Sequence, residues 1–256
     1  MRTPIKDLRY TTKSLSQLKK IIPPESYVET FLLFSGNIEI NLAEANRHVT
    51  AHTTKLVIYD FWKSMIEAPE FVADIAAHLY PFEDEKLFNV FQEKYHQNKD
   101  PHVRAALFFL LNRCSSDGMI SHGKLESKNY NPVALSYIKR FNPVNFGVKY
   151  DEQDDFMTTL SGTKDADYIF LPVGKFSFNF LEEGINRGPE ETTVYHKDLK
   201  RTVDAISTKT ILNYQFHPEV LKLYKDYTIV MLDKYGRKTT NRETAKELLV
   251  ANFRID

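Results

Sequence analysis

Tyr27-Val28-Glu29-Thr30-Phe31-Leu32-Leu33-Phe34-Ser35-Gly36-Asn37 is the stretch whose reading decides the fold. Apolar and β-branched residues from Tyr27 to Phe34 predict a short buried strand, and Ser35-Gly36-Asn37 predicts the turn that ends it. Further on, Leu56-Val57-Ile58-Tyr59 forms a second short apolar run that closes on Asp60. A strand, a glycine turn, a helix and a strand ending in an acid make the opening of a nucleotide-binding βαβ unit.

On the N-terminal side, Leu15, Leu18, Ile21 and Ile22 have helical spacing, with Ser14 placed as N-cap and Pro23-Pro24 as the stop. On the C-terminal side the pattern turns helical from Pro69 to Leu111, where Phe71, Ile75, Leu79, Leu87, Val90 and Phe91 recur at three- and four-residue steps. A polar stretch from Ser115 to Asn131 follows, and its segment Met119 to Ser127 predicts a small hairpin. Strand signals return at Tyr168–Leu171 and Thr210–Tyr214, with a helix at Lys197–Ile206 between them. Tyr227–Leu232 and Lys246–Phe253 predict a closing strand pair. The layout is α/β, helical, then α/β again. It implies a Rossmann-like sheet built from residues 1–68 and 156–256, interrupted by a mostly helical insert with a short hairpin at 69–155.

Composition narrows the classes. The chain has 256 residues, 42% hydrophobic and 13% aromatic, enough for a packed core and unlike a disordered chain. Thirty-four basic residues balance thirty-four acidic ones, which argues against tight non-specific binding to nucleic acid but leaves room for a local basic patch. Cys114 is the single cysteine, so no intrachain disulfide can form and a reducing, cytoplasmic setting is expected. No apolar run reaches the length of a membrane span, and no membrane association is expected.

The order of motifs resembles the Dam-type (class α, D12 class) DNA adenine-N6 methyltransferases. The residues that carry the resemblance are Val28-Glu29-Thr30-Phe31, Leu111-Asn112-Arg113 after Arg104-Ala105-Ala106, Leu223-Tyr224-Lys225-Asp226-Tyr227, and Lys246-Glu247-Leu248-Leu249-Val250-Ala251-Asn252-Phe253. They fall in family order from Thr3 to Phe253. The resemblance implies a methyltransferase sheet with a target-recognition insert and S-adenosylmethionine as cofactor. Lys13, Gly36 and Asp60 stand where the family binds that cofactor, and Arg113, Ser121, His122 and Lys124 where its recognition insert meets DNA.

The departures from the family pattern point away from catalysis. Only Gly36 survives of the glycine-rich turn, with Leu33 and Phe34 near the place of the first glycine. Thr11-Thr12-Lys13-Ser14 keeps the lysine of a Gly-Gly-Lys-Ser segment and loses both glycines. Family chemistry uses an Asp-Pro-Pro-Tyr strand end, whose acid and proline carbonyl orient the adenine amino group while the tyrosine stacks on the base. Here that stretch reads Leu171-Pro172-Val173-Gly174. Leucine accepts no hydrogen bond, and an amino group buried against it costs about 1–3 kcal/mol. No catalytic residue is therefore assigned, and S-adenosylmethionine is expected only if the site is still open.

Other constellations carry less. His48 and His52 stand four apart, but the surrounding polar sequence predicts a connection rather than a metal site, and no metal is expected. Cys114 lacks an activating neighbour and is expected to be structural. The acidic run Asp151 to Asp155 predicts a solvated loop. Asn213-Tyr214, where the family has a polar-aromatic pair near the target base, are expected as core and edge residues. Phe176, Phe178 and Phe180 alternate beyond the lost motif and are expected to fill the vacated pocket or to form a contact surface.

Three functional readings follow. One is a catalytically inactive homologue that binds double-stranded DNA or a protein partner, such as an active methyltransferase or another assembly subunit. Another is an active adenine-N6 methyltransferase with a diverged site. The last is a purely structural interaction protein.

Overall fold

The computed structural model describes residues 3–6, 13–80, 84–118, 120, 123–126, 133–152, 155–176 and 194–255. In chain order its elements are α1 (Leu15–Ile21), β1 (Tyr27–Thr30), α2 (Asn37–Ala43), β2 (His48–Thr53), α3 (Leu56–Glu67), α4 (Pro69–Leu79), α5 (Glu85–Lys94), α6 (Pro101–Cys114), α7 (Val133–Lys139), β3 (Phe146–Tyr150), α8 (Phe156–Gly162), β4 (Tyr168–Gly174), α9 (His196–Asp204), β5 (Lys209–Gln215), α10 (Pro218–Leu223), β6 (Thr228–Asp233) and β7 (Ala245–Ala251).

The strands form one sheet in the order β3-β2-β1-β4-β5-β7-β6. Every pair from β3 to β5 is parallel, and β7 alone runs against both of its neighbours. Because β7 opposes both β5 and β6, those two strands point the same way, and β6 ends at the same edge as the parallel strands. The chain order reverses between β1 and β4, and in open α/β sheets ligands bind in the crevice at such a reversal. This is a Rossmann-like, doubly wound α/β sheet with one antiparallel strand, β7, near its edge. No helix among the described residues is long and apolar enough to cross a membrane.

Several expectations are corrected. The Tyr27–Phe34 strand stops at Thr30, because Leu32 takes a left-handed φ of +64° that turns the chain. Leu56–Tyr59 is the first turn of α3, not a strand. Four residues were too short a window: extended to Met65, the buried positions Val57, Ile58, Phe61, Trp62 and Met65 follow a helical period. The second strand is instead His48–Thr53, whose polar letters resemble a loop although Val49, Ala51, His52 and Thr53 are buried. Ser14 forms no side-chain cap on α1, and its backbone is already helical.

The stretch 69–155 is not wholly insert. Phe146–Tyr150 pairs in parallel with β2 and supplies the edge strand of the sheet. The helices α4 to α7 share one hydrophobic core with that side of the sheet rather than closing a core of their own. Phe108 of α6 meets Phe34 at 6.3 Å, and Trp62 of α3 packs between Phe141 and Phe146 at 5.6 and 5.8 Å. The other side of the sheet has its own apolar cluster, running from Phe156 and Leu171 to Tyr214 and Tyr224.

Candidate functional site

The crevice at the reversal point is framed by the turn after β1 and by the ends of β2, β3 and β4. In the turn, the Phe31 amide donates to the Phe170 carbonyl at 3.1 Å and the Leu33 amide to the His52 carbonyl at 3.2 Å. The Phe34 carbonyl accepts from Trp62 Nε1 at 2.8 Å. These backbone groups are spent on the protein itself. Phe31, Leu33 and Phe34 are all buried, whereas Leu32 holds the left-handed conformation that a glycine would adopt freely. For a leucine that conformation costs about 1–2 kcal/mol. Gly36 has a φ of +64°, and a β-carbon there would lie 2.6 Å from Trp62 Cζ2. Its missing side chain makes room for the indole.

A partly buried charge cluster sits beside this turn. His52, near the end of β2, places Nδ1 3.1 Å from Asp151 Oδ1, just past β3, and Nε2 3.4 Å from Glu29 Oε2 on β1. The first contact has hydrogen-bond geometry; the second is an ion-pair approach. Glu29 also accepts from Thr163 Oγ1 at 3.1 Å and lies 3.9 Å from Lys149 Nζ. Phe31 stacks on the imidazole, with centroids 4.6 Å apart. Burial alone pulls the His52 pKa down, but the Asp151 and Glu29 carboxylates outweigh it and leave it raised. The approach of the His52 imidazole, against a burial penalty, holds the Glu29 carboxyl below its ordinary range. Thus His52, flanked by two carboxylates that favour its charged form, stands at the end of β2, where an acid was expected.

At the end of β4 the Leu171-Pro172-Val173-Gly174 stretch is part of the sheet. Leu171 and Pro172 pair with Leu212 and Asn213 of β5, and a register shift precedes Gly174, whose φ is +75°. The proline is tolerated because β1 pairs only as far as Phe170. Leu171 and Val173 are core residues, and Phe176 continues that core. Phe176 stacks on His196 at 4.4 Å, leans on His217 at 5.0 Å and meets Tyr214 edge-on. A chain of hydroxyl and ring contacts links His196 Nδ1 to Tyr214 (3.3 Å) and Tyr214 to Tyr224 (3.2 Å). Phe176 therefore fills space beyond β4; Phe178 and Phe180 lie outside the described residues.

The residues singled out by resemblance do not converge. Asp60, placed at a strand end by the sequence, lies inside α3 and pairs with Arg104 at 2.6–2.7 Å. Burial raises its pKa despite that partner. Lys13 is held by its backbone at β7: the Lys13 and Ser14 amides donate to the Glu247 carboxylate at 3.2 and 3.0 Å. Arg113 donates Nε–H to the Pro4 carbonyl at 2.6 Å, so it fastens the N-terminal segment instead of facing a duplex. Lys124 is exposed and its amide donates to Ser116 Oγ. Ser121 and His122 lie outside the described residues. An antiparallel bridge between Ser115 and Leu125 closes the base of the expected hairpin. Asn213 and Tyr214 are both buried on β5.

Sequence reasoning missed the His52 cluster. His48 and His52 are strand residues, and Asp151 is a half-buried partner of His52 rather than the start of a solvated loop. The only signal available was a glutamate and a histidine on neighbouring parallel strands, visible once β2 is placed. Among the described residues no group of His, Cys, Asp and Glu is arranged to hold a metal ion.

No family model and no curated protein matches the chain. Among solved structures it is similar to a precorrin-6y C5,15-methyltransferase from Geobacter metallireducens, at 12% identity and a TM-score of 0.34, over 93% of this chain and 84% of that one. It is also similar to the rRNA methyltransferase aviRa from Streptomyces viridochromogenes, at 12% identity and a TM-score of 0.34, over 94% and 81%. Likeness at this level carries no argument about activity; the fold rests on the strand order.

Proposed function

We propose that the chain keeps the methyltransferase sheet without methyl transfer and acts by binding, as a subunit that holds nucleic acid or a protein partner. The observation that carries this reading is the end of β4, where Leu171 and Val173 are packed into the core in place of a polar, base-orienting motif. The crevice supports it. Phe31 and His52 are stacked across the ends of β1 and β2, and the amides of Phe31 and Leu33 are engaged within the protein. These residues do not fit S-adenosylmethionine, which needs free backbone donors and a small-residue turn beside the first strand. The corner at the end of β2 is filled by His52, which lies between the Asp151 and Glu29 carboxylates.

The test is a methyl-transfer assay with labelled S-adenosylmethionine on adenine-containing DNA, both single- and double-stranded. The reading predicts no incorporation above a no-enzyme control. Stoichiometric turnover on either substrate would overturn it in favour of a diverged active adenine methyltransferase.

A further inference from the structure

The hairpin between β6 and β7 concentrates charge that the chain as a whole lacks. It emerges at the edge where the parallel strands end, and it exposes Lys234, Arg237, Lys238 and Arg242. The helix α1 lies against it: Gln17 Nε2 donates to the Gly236 carbonyl at 3.2 Å, and a β-carbon on Gly236 would meet the Lys13 carbonyl oxygen at 2.3 Å. That close approach brings Lys13 to the same surface, and Lys20 and Lys238 line one small hollow there with Gln17, Ile21 and Ile255. Among the described residues none of these six cations closes a salt bridge, whereas Arg104, Lys139, Lys200 and Lys222 all do. Two acids share the segment. Asp233 accepts from the Tyr235 and Arg237 amides at 2.8 and 2.9 Å and its charge attracts Arg237 and Lys234, and Glu243 is exposed, so the hairpin's four cations outnumber its two carboxylates.

At the tip stands Tyr235, 65% exposed. Lys234 Nζ lies 4.9 Å and Arg237 Cζ 5.4 Å from its ring centroid. An exposed aromatic ring flanked by cations that can swing to phosphates gives a base something to stack on while its phosphates meet the charges. A duplex keeps its bases stacked on one another and offers the tyrosine no free face. An acidic protein or an anionic membrane would use the cations but not the ring in this way.

We infer that the β6–β7 hairpin and the adjoining face of α1 form a binding surface for single-stranded nucleic acid, with Tyr235 stacking on a base and the surrounding lysines and arginines meeting the phosphates. The inference deepens the binding reading above by naming its ligand, and the two can fail separately because one is read by methyl transfer and the other by strand binding.

The experiment is fluorescence anisotropy of the full chain with a labelled 20-nucleotide single strand, its duplex, and a salt series. The expected result is binding to the single strand at low salt, with log K falling against log salt at a slope of about −3 if four phosphates are neutralised. Tyr235→Ala should weaken single-strand binding at least fivefold and leave duplex binding unchanged. Lys238→Glu with Arg242→Glu should weaken it further and flatten the slope, with unchanged melting temperature showing that the fold is intact. Absence of single-strand binding at low salt would overturn the proposal. So would binding insensitive to all three substitutions, or a Tyr235→Ala variant that loses duplex and single strand equally. Capture by anionic lipid vesicles that competes with the strand and ignores Tyr235→Ala would replace the proposal with a membrane surface.

Discussion

His52→Phe is the perturbation that most sharply probes the crevice. Phenylalanine keeps a flat ring against Phe31, so the change removes charge and hydrogen bonding while most of the packing stays. What remains is the Asp151 side chain, 9% exposed, with Oδ2 buried and unbonded and Oδ1 newly deprived of its partner. Breaking a buried ion pair from one side costs about 3–5 kcal/mol. Glu29 retains Thr163 and Lys149 and softens the loss, so the low end, about 3 kcal/mol, is expected at pH 6. For a chain of this size that lowers Tm by roughly 6–12 °C. The sign of the pH dependence follows from the two shifts. The raised pKa of His52 gives stability that is complete below its ordinary 6.5 and is lost as pH rises through the folded value. The lowered pKa of Glu29 gives stability present above its ordinary 4.5 and lost as pH falls through the folded value. The cluster therefore stabilises most between about pH 4.5 and 6.5, and the gap between wild type and His52→Phe should shrink at alkaline pH. Urea unfolding at several pH values measures it, with Asp151→Asn and the double variant completing a cycle. The double variant should recover at least half the loss. A His52→Phe protein within 1 kcal/mol of wild type at pH 6, or a loss that stays constant up to pH 9, would refute the reasoning.

Gly36→Ala must both hold a left-handed φ and push a methyl group into the Trp62 ring, so a loss of about 2–4 kcal/mol is expected in thermal unfolding. Trp62, the sole tryptophan, should report the damage by a red shift in its emission. Cys114 is buried, and burial pushes its thiol up to about 11; Ellman's reagent at pH 8 should react at the rate of unfolding, not within the mixing time. Leu171→Asp places an acid at the end of β4, yet it buries a carboxylate among Ile169, Val173 and Leu212. The expected outcome in melting and methyl-transfer assays is a marked loss of stability and no gain of activity.

The fold was legible where apolar period and turn chemistry were both strong. The strands at Tyr168, Thr210 and Tyr227, the closing strand pair and the helices of the 69–111 stretch all fall within a few residues of their expected places. Legibility failed where tertiary contacts decide. His48–Thr53 is a strand because β1 and β3 flank it on both sides, a fact absent from its own polar letters. Leu56–Tyr59 has strand composition but belongs to a helix whose buried face extends to Met65. The error carried Asp60 with it, from an expected strand end to a salt bridge with Arg104. Arg113 looked free to meet DNA because nothing local marks the Pro4 carbonyl, 109 residues away, as its partner. That the end of β4 reads Leu171-Pro172-Val173-Gly174, with no acid, was in contrast readable directly, since it depends on residue types and not on their neighbours.

The most direct measurement of the central claim is calorimetric titration of the purified chain with S-adenosylmethionine. The engaged turn amides, the stacked Phe31–His52 pair and the core-packed end of β4 predict no saturable heat up to millimolar ligand. Saturable binding in the micromolar range would show that the crevice opens to the cofactor and would contradict the account.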